Sequence, residues 1–121
     1  EKFIVRKEKM GQLDKGLLLA LIRQDKIAEF IAGLGRLANI NMDIVSQAVF
    51  DPESEKLAII CKAAEIDYDV FAEIIYFINL NEETEEKDMD ALVGVYQRMD
   101  TKIAQRTLRF LRTRLNLQKK S

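Results

Sequence analysis

Residues 37–50, LANINMDIVSQAVF, are echoed 26 positions later by residues 63–76, AAEIDYDVFAEIIY. Apolar residues of the two stretches coincide, and Asn41 coincides with Asp67; both are residue types that cap the start of a helix. The apolar positions recur at intervals of three and four, which is the period of an amphipathic helix. The echo therefore predicts a helix, a tight turn and a shorter helix present twice, as candidate internal repeats over 25–50 and 52–79.

The remainder of the chain also favours helices. Its 121 residues include one proline and five glycines, and this length suits one folding unit. We therefore expect a single all-α domain over 1–121, made of stacked helical hairpins with about six or seven helices. Because the chain lacks an initiator methionine, we also expect it to be a fragment of a longer protein.

Three positions carry residues typical of helix starts. Asp14 is expected to cap a helix that ends near Gln24, and Asp25 is expected to cap the next one. Pro52, between Asp51 and Glu53, is expected to open a helix, since proline is favoured in the first turn.

Charge is balanced overall but divided along the chain. With 19 basic and 20 acidic residues the net charge is -1, which implies no general affinity for polyanions. Residues 65–90 hold ten acids and one lysine, whereas residues 101–121 hold seven bases and no acid. The lone Cys61 cannot form an internal disulfide, so we expect a cytoplasmic protein.

The chain resembles a bacterial family of HEAT-like α-helical repeat proteins of unknown function. The resemblance rests on three segments between about Leu13 and Arg114: LDKGLLLALIRQDKIAEFIAGLGRLANI, VFDPESEKLAIICKAAEID and YQRMDTKIAQRTLRFLRTR. It implies stacked helical hairpins and supplies no catalytic residue.

The residue types needed for common catalytic and metal sites are scarce. The chain has no histidine and one cysteine, and the acidic run 81–90 lacks the Glu-x-x-His spacing of helical metal sites. Gly33-Leu34-Gly35 could face a phosphate or allow close helix packing, and its place inside a helix favours packing. Cys61 is expected to be a buried small side chain rather than a reactive thiol. We expect no catalytic residue, no metal and no cofactor.

Two segments could contact a partner. The first is the leucine-rich helix, which is apolar on all sides, so it is either buried on both sides or exposes one side to another molecule. Its predicted association face, which would support a homo-oligomer, consists of Leu17, Leu18, Leu21 and Ile22. The second is a basic closing helix over 101–121 with an apolar seam at Ala104, Leu108, Leu111 and Leu115. Its predicted partner-binding residues are Lys102, Arg106, Arg109, Arg112 and Arg114.

Three interpretations of the closing helix remain open. It could be a terminal cap with a solvated outer side, a binding face for an acidic protein, or a nucleic-acid contact. The first two fit a non-enzymatic helical-repeat module for interaction or scaffolding, which is our expectation. A nucleic-acid-binding protein is the alternative, although Phe110 alone could stack on bases there. No stretch is apolar over the roughly 20 residues that a membrane-spanning helix requires.

Overall fold

The structure is a computed structural model that describes residues 2–51, 55–78 and 86–120, and within these ranges the chain is all-α. The helices found there are α1 (Lys2–Lys9), α2 (Lys15–Arg23), α3 (Ile27–Ala38), α4 (Met42–Val49), α5 (Lys56–Ala63), α6 (Tyr68–Ile78), α7 (Glu86–Arg98) and α8 (Thr101–Lys120). This confirms the predicted fold class. The predicted start at Pro52 and the first half of the acidic run, residues 81–85, lie outside the described residues.

The described helices number eight, one more than the largest predicted count, because α1 was not expected. Only Ile4 of α1 is buried, so its eight residues give too short an apolar stripe to be recognised. The helix is attached to α3 by an ion pair in which Arg36 Nη2 lies 2.6 Å from Glu8 Oε1.

Two predicted helix starts are confirmed by side-chain hydrogen bonds. Asp14 Oδ1 accepts a bond from the Leu17 N–H at 2.9 Å, and Asn41 Oδ1 accepts one from the Asp43 N–H at 2.7 Å. These acceptors satisfy backbone donors that the first turn of a helix leaves unpaired. The backbone of Asp67 is placed like that of Asn41, because its carbonyl accepts the Phe71 N–H at 3.0 Å.

The predicted helix start at Asp25 is wrong. This residue lies at the end of α2 and does not cap the start of α3. Its φ of 58° is left-handed, and the following N–H, that of Lys26, returns to the Leu21 carbonyl at 2.9 Å. This is the bond pattern of a helix end. Helix α3 then starts after Lys26, which makes no side-chain capping bond.

The same kind of helix end occurs at matching places in the two echoed segments. Asn39 has a φ of 56° and Glu65 a φ of 60°, 26 residues apart. After each, an isoleucine N–H bonds back five residues, from Ile40 to Gly35 at 2.8 Å and from Ile66 to Cys61 at 3.0 Å. The echo therefore corresponds to a shared local backbone geometry.

The helices of the two candidate repeats have different neighbours. Helix α3 packs on α4, whereas α5 packs mainly on α8, and α6 packs on α2 and α7. The shared turn geometry therefore does not establish that the helix pairs of the two candidate repeats are arranged alike. The HEAT-like repeat stays a prediction.

The predicted association face on α2 is corrected by the packing. Leu18, Leu21 and Ile22 are at most 3% exposed, and Leu17 is half-buried against the same core. Helices α3 and α6 of the same chain both pack on α2, and an ion pair between Arg23 and Glu73 joins α2 to α6. Leu18, Leu21 and Ile22 are thus buried within one chain and are not available to a partner, which leaves only Leu17 of the predicted face partly exposed.

Candidate interaction surface

Helix α8 has a buried inner side that fixes its orientation. Ala104 and Leu108 are each 2% exposed and Leu111 is half-buried, which confirms the predicted seam for these three residues. Helix α8 packs on α5, where the Gln105 side-chain amide donates to the Ala63 carbonyl at 3.2 Å. That bond satisfies a carbonyl at the end of α5, so α8 is held by both apolar and polar contacts.

The opposite side of α8 carries three exposed cations, Lys102, Arg106 and Arg109, which we call the basic stripe. Their spacing of four and three residues places them on one face over two helical turns. Among the residues that the structure describes, none of the three has an ion-pair partner. Within the described ranges, these three charges are thus exposed and face no carboxylate.

Two large apolar side chains border the basic stripe. Ile103 is 58% exposed and Phe110 is 63% exposed. Seven residues separate them, so they project from the same side of α8, two turns apart. Ile103 is not among the predicted partner-binding residues, although its position off the apolar seam is a signal that could have identified it.

The remaining predicted cations are placed differently. Arg112 is half-buried beside a cleft of about 350 Å³, which is lined by Leu37, Ala38, Ala63, Gln105, Leu108, Arg109 and Arg112. Its Nε is buried and has no hydrogen-bond partner among the described residues, an arrangement that costs about 1–3 kcal/mol. Arg112 thus does not belong to the basic stripe. The side chain of Arg114 lies outside the described residues.

The outward sides of α4 and α6 carry a second pattern. Asp43 and Gln47 of α4 and Phe50, the C-cap directly after it, correspond at the offset of 26 residues to Asp69, Glu73 and Tyr76 of α6. We call the latter three residues the acid–aromatic stripe. Phe50 is 66% exposed and Tyr76 is 54% exposed. The inward positions of both helices are apolar because they are buried. Burial does not explain why an exposed aromatic residue, Phe50 or Tyr76, occurs at the same place in each segment.

A further cleft of about 520 Å³ lies between the α5–α6 turn and the start of α8. Its lining residues are Lys62, Glu65, Ile66, Asp67, Tyr68, Gln97 and Thr101. Asp67 is engaged with Lys15, whose Nζ lies 3.6 Å from its Oδ2. Within the described ranges, no group of three or more acidic or cysteine side chains is arranged to hold a metal ion.

Cys61 is fully buried, as predicted, on the side of α5 that faces the core. Burial raises the pKa of its thiol well above the ordinary value of 9.0. A thiol that stays protonated is a poor nucleophile, so this cysteine has the environment of a packing residue.

The fold and surface together define an all-helical unit, in the described residues, with a basic and apolar outer face on α8. None of the helices in the described part of the chain combines the length and apolar character that crossing a bilayer requires. The family DUF2336, described as an uncharacterised protein conserved in bacteria, matches residues 1–109, and the chain belongs to this family. The predicted bacterial family of unknown function is thereby confirmed. No curated protein and no solved structure was found to match the chain.

Proposed function

We propose that this protein is a non-enzymatic helical module that binds another protein through the outward face of α8. The observation that carries the proposal is the pair Ile103 and Phe110, both more than half exposed on one side of that helix. A helix that only capped the fold would gain nothing from large apolar side chains on its solvent side. Such residues next to charged ones are typical of protein contact surfaces.

The charges beside this pair indicate the kind of partner. Lys102, Arg106 and Arg109 are exposed and have no ion-pair partner among the described residues. A complementary partner would place acidic side chains opposite the basic stripe and an apolar side chain opposite Phe110. We propose the cytoplasm as the compartment, since the lone buried Cys61 needs no oxidising environment.

Site-specific photo-crosslinking in a bacterium that carries the protein tests this proposal. A photoreactive amino acid at Phe110 should give a discrete protein adduct, whereas the same group at Phe50, which is similarly exposed at the end of α4, should not. Adding Arg106→Glu should lower the yield at Phe110. The proposal is wrong if Phe110 gives no adduct, an adduct within its own chain, or the same adducts as Phe50.

Nucleic-acid binding is the second candidate, favoured by the regular spacing of the basic stripe alone. The net charge of -1 gives little long-range attraction for polyanions, and Phe110 is the one exposed aromatic residue in the described part of α8. Single- and double-stranded DNA and RNA should therefore bind weakly at low salt. Tight, salt-sensitive binding that Arg106→Glu/Arg109→Glu abolishes would make this candidate the better one.

A further inference from the structure

We infer that the outward face of α8 docks on the acid–aromatic stripe of α6 in a second copy of this chain. This inference rests on the proposed function, because it assigns an occupant to the same α8 face. It also replaces the association face predicted on α2, of which Leu18, Leu21 and Ile22 are buried.

The two faces match in spacing. The basic stripe occupies positions 102, 106 and 109, and the acid–aromatic stripe occupies positions 69, 73 and 76. Each set follows the order i, i+4, i+7 and spans two helical turns, roughly 10 Å along the axis. Two such helices can lie side by side with their outward residues in register, and Arg106 then faces Glu73 whichever way the helices run.

The two faces also complement each other in charge. Asp69 is exposed and has no ion-pair partner among the described residues. Glu73 already forms an ion pair within its own chain, in which its Oε1 lies 2.5 Å from Arg23 Nη2. Lys102, Arg106 and Arg109 supply the opposite sign. Since each chain has a net charge of only -1, two copies approach with little overall repulsion.

The apolar parts of the two faces suit the same contact. Tyr76 and Phe110 are 54% and 63% exposed, so each leaves an aromatic ring in solvent that association would cover. The Tyr76 ring can also receive Arg106 or Arg109 over its face, and its hydroxyl can accept a hydrogen bond from either guanidinium.

Helix α4 carries the corresponding residues but fits this contact less well. Its middle position is the neutral Gln47 in place of Glu73, and Phe50 has no hydroxyl to accept a bond from an arginine. This makes α4 a matched control, because Asp43 and Asp69 both lie in the first turn of their helices and Phe50 and Tyr76 are both exposed.

Sedimentation velocity over a concentration series tests the inference. The wild-type chain should associate reversibly, and added salt should weaken the association. Arg106→Glu/Phe110→Ser and, separately, Asp69→Lys/Tyr76→Ser should each raise the dissociation constant about tenfold or more, as expected for central interface residues. The control Asp43→Lys/Phe50→Ser should leave it unchanged.

Mixing the two defective variants gives the sharper test. The Arg106→Glu/Phe110→Ser chain keeps an intact α6 face, and the Asp69→Lys/Tyr76→Ser chain keeps an intact α8 face. Each should be monomeric alone, and the mixture should form a heterodimer. Association that survives either double substitution, or that is lost in the α4 control, would overturn the inference.

The outcomes also separate this inference from the proposed function. A monomeric wild-type chain whose position 110 still crosslinks to a different protein would refute self-docking and retain the interaction module. A monomeric chain without any adduct from position 110 would refute both.

Discussion

The Tyr96 hydroxyl of α7 donates a hydrogen bond to the carbonyl of Ile66, in the turn that joins α5 and α6. The same ring stacks on Phe71 of α6 with centroids 4.0 Å apart, and Lys62 Nζ of α5 lies 4.8 Å from its centroid. Burial raises the pKa of this hydroxyl above its ordinary value of 10.0, and the nearby Cys61 and Asp67 add to the rise. The proton needed for the bond is therefore retained, and one side chain joins three helices.

Replacing Tyr96 by Phe should lower the free energy of unfolding by about 1–3 kcal/mol. The ring would still stack on Phe71, but the buried Ile66 carbonyl would lose the hydroxyl that donates to it. Leaving a buried acceptor without this donor costs its desolvation free energy. Urea denaturation measures the change. Tyr68→Phe, at a tyrosine that is 53% exposed, is the control and should change stability by less than about 0.5 kcal/mol. Equal effects at both positions would contradict the role given to the bond.

Replacing Glu65 by Gly should stabilise the fold by on the order of 0.5–1 kcal/mol. Glu65 has a φ of 60°, which lies in the left-handed region, and this backbone conformation is strained for residues other than glycine and asparagine. Asn39→Gly, at the equivalent turn with a φ of 56°, should have a smaller effect because asparagine tolerates this conformation. Thermal unfolding compares the two variants, and a loss of stability in Glu65→Gly would show that strain is not the main effect.

Replacing Gly33 by Ala should destabilise the protein by about 1 kcal/mol. The added Cβ would lie 2.8 Å from Leu18 Cδ2 and 3.5 Å from Ile4 Cδ1, both on fully buried side chains. The cost of crowding a packed core, roughly 1–3 kcal/mol, exceeds the gain in helix propensity of about 1 kcal/mol.

The control for this substitution is Gly94→Ala in α7, where the nearest atom to the new Cβ is Arg98 Nη1 at 3.6 Å. Without crowding, the gain in helix propensity should prevail and stabilise the fold by about 0.5–1 kcal/mol. Chemical denaturation of both variants checks the opposite signs. If Gly33→Ala were as stable as Gly94→Ala, close approach of α1 and α2 to α3 at this glycine would be ruled out.

Stability should fall above about pH 9 because of Cys61. Its thiol pKa is raised in the folded state, so the folded protein keeps a proton that the unfolded chain releases once the pH exceeds 9.0. The stabilisation is fully present below that pH and is lost as the pH rises. Between pH 8 and pH 10 the wild type should lose about 1.4 kcal/mol more than Cys61→Ala. Equal losses in the two proteins would contradict this effect.

Several local features could be predicted from the sequence because they depend on neighbouring residues alone. The caps at Asp14 and Asn41 were identified from residue type and position, since a cap needs only a short polar side chain beside the first turn. The inward positions Ala104 and Leu108 followed from the helical period. Asp25 was misassigned because aspartate suits both a helix start and a left-handed turn, and only the bonds that its neighbours make separate the two.

The burial of α2 and the outer face of α8 were decided by tertiary structure. The run from Leu17 to Ile22 could equally have been exposed to a partner, and the packing of both α3 and α6 on α2 put Leu18, Leu21 and Ile22 in the core. Likewise the period of α8 defines an apolar side, but Ile103 and Phe110 remain exposed because the packing of α8 on α5 buries Ala104 and Leu108 and leaves these two side chains in solvent. Local sequence fixes which residues share a helix face, whereas the contacts between helices distant in sequence determine which faces remain in solvent.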